Sequence, residues 1–157
     1  MIKLGNEAEI VIAHKLMKEA FEEYRYLEVP SSAINEPLDT LRDSFRNGLE
    51  KFIVCYIDGN PLGFLRFNTK GETLYFSRVS VPPYARGRGI AKSMLSWLED
   101  YAKKEGIYKL QCKVRSSLIH NLSLYKSIGY TVTKEEMVTN SNNLSVNIVV
   151  MEKLLKP

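Results

Sequence analysis

Residues 74–105 constrain this chain most, because they spell a strand, a glycine-rich turn and a helix in succession. Leu74-Tyr75-Phe76-Ser77-Arg78-Val79-Ser80-Val81 is rich in aromatic and β-branched residues and halts at Pro82-Pro83, so it reads as a strand. From Ile90 onward, Ala91, Met94, Leu95, Leu98, Tyr101 and Ala102 recur at three- and four-residue spacing, which predicts an amphipathic helix. Lys103, Lys104 and Gly106 supply its C-terminal signals. The turn itself is Arg86-Gly87-Arg88-Gly89-Ile90-Ala91. A turn of this kind leaves several backbone N–H groups pointing one way at the positive end of a helix dipole, which makes an anion site. Gly87 and Gly89 let the backbone approach a phosphate closely, and Arg86 and Arg88 add positive charge.

The turn lacks the Gly-Lys-Ser/Thr ending of a nucleotide-hydrolysing loop and does not follow GxGxxG, so neither ATP nor a dinucleotide is favoured. Arg86, Gly89 and Ala91 fit instead the pattern Gln/Arg-x-x-Gly-x-Gly/Ala. Further on, Leu124-Tyr125-Lys126-Ser127-Ile128-Gly129-Tyr130 fits Leu-Tyr-x-x-x-Gly-Phe/Tyr, a helix stopped by glycine. Together these motifs resemble the GNAT superfamily of acetyl-CoA-dependent N-acetyltransferases, and the resemblance covers nearly the whole chain. It implies an α/β (α+β) architecture, the GNAT acyl-CoA N-acyltransferase fold, with a mixed central sheet of about six to seven strands flanked by about four helices.

The order of elements agrees. Ile10, Val11, Ala13, Leu16, Met17, Ala20, Phe21 and Tyr24 predict a helix over residues 7–24, with Asn6 placed to cap it. A short helix follows over 40–47, closed by Gly48. Strands are expected over 51–57 and 62–67, joined at Asp58-Gly59-Asn60-Pro61. Beyond the long helix, a strand over 108–114 is reached by a helical crossover and should lie parallel to the strand before the turn. A short helix carrying Ile119, Leu122, Leu124, Tyr125 and Ile128 comes next, then a hairpin over 130–139 and 144–154 around Asn140-Ser141-Asn142-Asn143.

With 157 residues, the chain is most simply a single domain, 1–157. A formal net charge of +4 without a long basic run suits an anionic cofactor and gives no support for nucleic-acid binding. No apolar run approaches a signal peptide or a membrane span, so the cytoplasm is the default expectation and no membrane partner is expected. Cys55 and Cys112 read as small buried side chains in a reducing compartment. No His/Cys/Asp/Glu spacing suggests a metal site, and His14 and His120 read as structural or exposed.

The resemblance assigns roles residue by residue. Acetyl-CoA would lay its pyrophosphate on the amides of Arg86, Gly87, Arg88, Gly89, Ile90 and Ala91. Its pantetheine arm would pair with the backbone of Val79, Ser80 and Val81 like an added strand. Tyr125 would protonate the departing thiolate, a task suited to a phenol whose pKa lies near or just above that of a thiol. The family's cofactor-arm asparagine is replaced here by Leu118, and Asn121, one helical turn before Tyr125, is its candidate substitute. Tyr75 and Ser77 stand where many members carry a basic glutamate, so no side-chain base is assigned.

The implied reaction is direct acetyl transfer in a ternary complex to a primary amine, of a small molecule or of a peptide or protein. The alternative is a catalytically weak or inactive acyl-CoA-binding sensor on the same fold. For the acceptor, Tyr24, Tyr26 and Glu28 in the segment 24–36, and the 140–143 hairpin tip, are the candidates, since aromatics and carboxylates hold amines. The sequence leaves a homodimer open.

Overall fold

The computed structural model describes residues 1–27, 29–139 and 143–157. Its strands are β1 (Ile2–Leu4), β2 (Lys51–Ile57), β3 (Asn60–Lys70), β4 (Thr73–Ser80), β5 (Lys109–Arg115), β6 (Thr131–Thr139) and β7 (Ser145–Leu154). Its α-helices are α1 (Ile10–Phe21), α2 (Leu38–Arg46), α3 (Ile90–Lys104) and α4 (Ile119–Ser127). The strands form one mixed sheet in the order β1-β2-β3-β4-β5-β7-β6. β4 and β5 pair in parallel, Thr73 to Tyr75 against Lys109 to Gln111, as a helical crossover requires. The chain divides into two compact units: Met1–Asn68 with Phe76–Leu98, and Thr69–Tyr75 with Glu99–Pro157. Among the described residues, no helix is long and apolar enough to cross a membrane.

In the first unit, Ile10, Ala13, Leu16 and Met17 of α1 pack with Leu41, Phe52, Val54 and Phe64 in one buried cluster. Each large side chain so buried contributes about 1.5–3 kcal/mol. The α-helix is shorter than its apolar period, because Glu7–Glu9 and Glu22–Tyr26 are 3-10 turns at its two ends. At the start, the Glu9 carboxylate accepts from the Asn6 N–H at 3.1 Å, pairs with Lys3 at 2.9 Å and accepts from the Tyr56 hydroxyl. Burial works to raise the Glu9 pKa, but those bonds outweigh it and hold it below the ordinary value. The same hydrogen bond pushes the Tyr56 phenol up to about 12. The β2–β3 turn narrows to Asp58 and Gly59, both left-handed, with φ of 52° and 79°. Pro61 then enters the strand, and the ladder shifts register between Cys55 and Tyr56, beside a residue that has no N–H to give.

One buried charge ties this unit together. Arg66 in β3 is 5% exposed. Its Nη1 donates to Glu36 at 2.6 Å, and its Nε and Nη2 donate to Glu50 at 3.1 and 2.7 Å. Glu50 also accepts from Ser44 Oγ at 2.8 Å, and His14 Nε2 donates to the Glu36 carbonyl at 2.7 Å. Arg66→Met strands two carboxylates without their cation, so a loss of about 3 kcal/mol is expected. Urea unfolding of the two proteins measures it, and equal stabilities would show the cluster to be solvated.

In the second unit, Leu110, Cys112 and Val114 of β5 alternate with more exposed residues and are buried with Val149, Val150 and Met151 of β7. The apolar stripe expected on α4 is narrower than its spacing suggests. Tyr125 is buried, whereas Ile119 is 71% exposed. A helical step of about 100° per residue sets Ile119 about 120° around the axis from Tyr125.

Candidate active site

Pro83–Ala85 forms a 3-10 turn after β4, and Arg86 follows in extended conformation. Gly87 and Gly89 are both left-handed, with φ of 83° and 73°, a conformation that costs glycine nothing. Gly87, Arg88 and Gly89 are exposed. A Cβ built on either glycine would meet nothing within 4 Å, so the backbone here is open to an approaching group. Helix α3 starts at once, and Ser93 N–H donates to the Gly89 carbonyl at 3.0 Å. The amides of Ile90, Ala91 and Lys92 precede that bond and have no carbonyl one helical turn back. This donor set, neutral N–H groups at a helix N-terminus, fits a pyrophosphate.

The loop is held from behind. Ile90 is buried against β3, where Gly63 makes room: a Cβ at Gly63 would lie 2.7 Å from Ile90 Cγ2 and 3.0 Å from Met94 Sδ. Arg86 is engaged elsewhere than its charge suggests. Its Nε donates to the Val81 carbonyl at 3.1 Å, Nη1 to Glu23 at 2.8 Å and Nη2 to the Ala20 carbonyl at 3.2 Å. The guanidinium therefore clamps the loop to the end of α1, and Arg86 and Arg88 are both exposed. Tyr84 adds a second tie, donating its hydroxyl to Glu19 at 2.8 Å, a bond that also raises the phenol's pKa.

Val79 of β4 and Val81, just beyond its end, flank Ser80, which is fully buried and donates its hydroxyl to the Arg78 carbonyl at 2.7 Å. Arg78 itself is left-handed, φ 55°, inside a strand. A non-glycine residue held so costs about 1 kcal/mol or more and persists only where its surroundings fix it. Here the side chain is fixed: Nη2 donates to Ser32 Oγ at 2.7 Å, and the guanidinium lies 5.9 Å over the Phe21 ring. No sequence signal announces it, because glycine, asparagine and aspartate are the residues that mark this conformation.

Tyr125 projects from α4 at 8% exposure, its ring edge-on to Tyr130 with centroids 5.9 Å apart and planes at 64°. Tyr130 N–H donates to the Tyr125 carbonyl at 3.0 Å, which closes the helix. Burial pushes the Tyr130 phenol far up, with Cys112, Glu99 and Tyr125 adding to it, so Tyr130 stays neutral at any working pH. Asn121 is half-buried in the first turn of α4, and His120 beside it is exposed.

Of the acceptor candidates, Tyr24 packs edge-on against Phe21 with centroids 5.5 Å apart, whereas Tyr26 is 87% exposed. Glu28 and residues 140–142 lie outside the described residues. Sequence reasoning missed the Arg66–Glu36–Glu50 cluster that anchors the far end of this segment. Its signal was present, since a lone arginine inside the apolar run Phe64-Leu65-Arg66-Phe67 has to find acidic partners. Among the described residues, no group of three or more His, Cys, Asp or Glu is placed to hold a metal ion.

The sequence profile of the acetyltransferase (GNAT) family matches residues 13–130. The chain belongs to the GNAT family. Among relatives of this GNAT chain is the uncharacterized protein YyaT of Bacillus subtilis (strain 168), 23% identical over 138 residues, covering 87% of this chain and 85% of YyaT. The solved structure of yncA from Salmonella typhimurium, a putative acetyltransferase with its cofactor acetyl-CoA, superposes with a TM-score of 0.74 at 20% identity, covering 100% of this chain and 94% of that one. The paia N-acetyltransferase of Thermoplasma acidophilum, in complex with coenzyme A, superposes with a TM-score of 0.77 at 16% identity, covering 98% and 99%. At these identities the two superpositions establish the shared fold.

Proposed function

We propose that this GNAT chain, acting as one catalytic domain, transfers an acetyl group from acetyl-CoA to a primary amine by direct attack in a ternary complex. The observation that carries the reading is the Gly87–Gly89 turn, which presents open backbone donors at the start of α3. That other chains of this fold were solved with acetyl-CoA and coenzyme A supports the same ligand. When bound, acetyl-CoA supplies an activated thioester.

The chain's own residues do the rest. The amides of residues 86–91 hold the pyrophosphate, the backbone of Val79, Ser80 and Val81 pairs with the cofactor arm, and Asn121 serves as a side-chain contact to that arm. A backbone N–H of β4 steadies the carbonyl oxygen as its charge grows. The amine nitrogen forms its bond to the acetyl carbon, the carbon–sulfur bond breaks, and Tyr125 gives its Oη proton to the sulfur. The amine must enter neutral, and its proton leaves through water because no carboxylate stands among Thr73–Ser80. Rates therefore rise with pH toward the amine's own pKa.

The decisive experiment is release of free thiol from acetyl-CoA in the presence of a panel of amines. Release with none of them, while acetyl-CoA still raises the melting temperature, would leave an acyl-CoA sensor as the reading. We assign the acceptor to the segment 24–36, with Tyr24, Tyr26 and Glu28 as its contacts. Tyr26 is exposed and free to lie against a cationic amine. Tyr26→Ala should raise the acceptor KM about two- to fivefold, the worth of one exposed cation–π contact, with the acetyl-CoA KM unchanged. An unchanged acceptor KM would remove Tyr26 from the site.

A further inference from the structure

β6 is the edge of the sheet, paired on one side with β7. Every residue of β6 is exposed except the half-buried Glu136. Three of the exposed residues are large and apolar: Val132 at 40%, Met137 at 66% and Val138 at 46%. A long edge with apolar side chains on both faces is a template for another strand.

The sequence of the edge says which strand fits. Lys134 and Glu136 share one face, where Lys134 Nζ lies 3.3 Å from Glu136. The register with β7 shifts between Val132 and Lys134, which makes Thr133 the extra residue and turns Val132 to the face of Glu135 and Met137. Laid antiparallel to its own copy about a two-fold axis at Glu135, this strand is self-complementary. Lys134 of each copy stands opposite the other's Glu136, and Val132 stands opposite the other's Met137. Charges on an edge repel most strands, but these match their own copy reversed. The exception is Glu135, which meets itself on the axis.

We propose that β6 is a homodimerisation edge, pairing antiparallel with β6 of a second copy about an axis at Glu135, in an isologous contact. A single strand edge buries less than the ~800 Å² per partner of a standard interface, so the dimer is weak and concentration-dependent.

Sedimentation of the full chain over a concentration series tests this. The expected result is a shift from 18.0 kDa toward twice that mass as concentration rises. Lys134→Glu should weaken the association about tenfold, and Glu135→Gln should tighten it about threefold by removing the like-charge pair on the axis. Both sites are exposed, so the fold should survive either change. On oxidation, Glu135→Cys should give a disulfide-linked dimer, whereas Thr139→Cys, well off the axis, should not. The native Cys55 and Cys112 are buried and do not compete. A monomer at every concentration, a dimer indifferent to both charge changes, or no preference for the Glu135 thiol over that at Thr139 would each overturn the proposal.

Discussion

Gly89→Asp abolishes the rise in melting temperature that acetyl-CoA gives the native chain. At a hundredfold excess over Kd, a ligand that binds only the folded state stabilises it by about 2.7 kcal/mol. In a chain of this size that is a shift of about 5–10 °C. The substitution puts a carboxylate where the phosphates should sit, and it forces a left-handed φ of 73° on a residue with a Cβ. It meets no neighbour within 4 Å, so the fold survives and the loss is one of binding. Gly71→Asp is the control: φ there is 61° and the surroundings are equally open, so the backbone cost is similar while the ligand shift remains. A folded Gly89→Asp protein that kept the full shift would sink the cofactor assignment.

Tyr125→Phe lowers kcat about tenfold or more, corresponding to about 1.4 kcal/mol or more of transition-state stabilisation, and leaves acetyl-CoA binding nearly unchanged. The phenylalanine ring keeps its buried place and its edge-on contact with Tyr130, so only the hydroxyl is removed. Single-turnover rates at saturating acetyl-CoA separate this from a binding effect. Equal kcat in the two proteins would make Tyr125 a packing residue, like its neighbour Tyr130.

Strong local signals made most of the fold legible. The long helix was readable from its apolar period and basic C-terminus, and the β2–β3 hairpin from Asp58-Gly59, because these preferences act within a few residues. β1 was missed because Ile2–Leu4 is too short to show a period. At the candidate site, glycines and turn could be read, but side-chain direction could not. The Arg-x-x-Gly-x-Ala pattern places the arginine beside the turn but does not show that its guanidinium donates to Glu23, Ala20 and Val81. The left-handed Arg78 and the Arg66 cluster depend on partners far away in sequence, Ser32, Glu36 and Glu50, and local pattern carries no such information.

The segment after α1 is fastened at both ends by contacts that owe nothing to its middle. At one end, Tyr24 packs on Phe21 and Glu23 accepts from Arg86. At the other, Ser31 accepts from the Ala33 N–H, Ser32 accepts from Arg78, and Glu36 is bound by Arg66 and His14. Tyr26, 87% exposed between these fastenings, can therefore be exchanged without drawing on the stability of the core. A chain built this way can drift toward new acceptors, or be pushed there by saturation mutagenesis at Tyr26, while the turn at Gly87–Gly89 stays as it is.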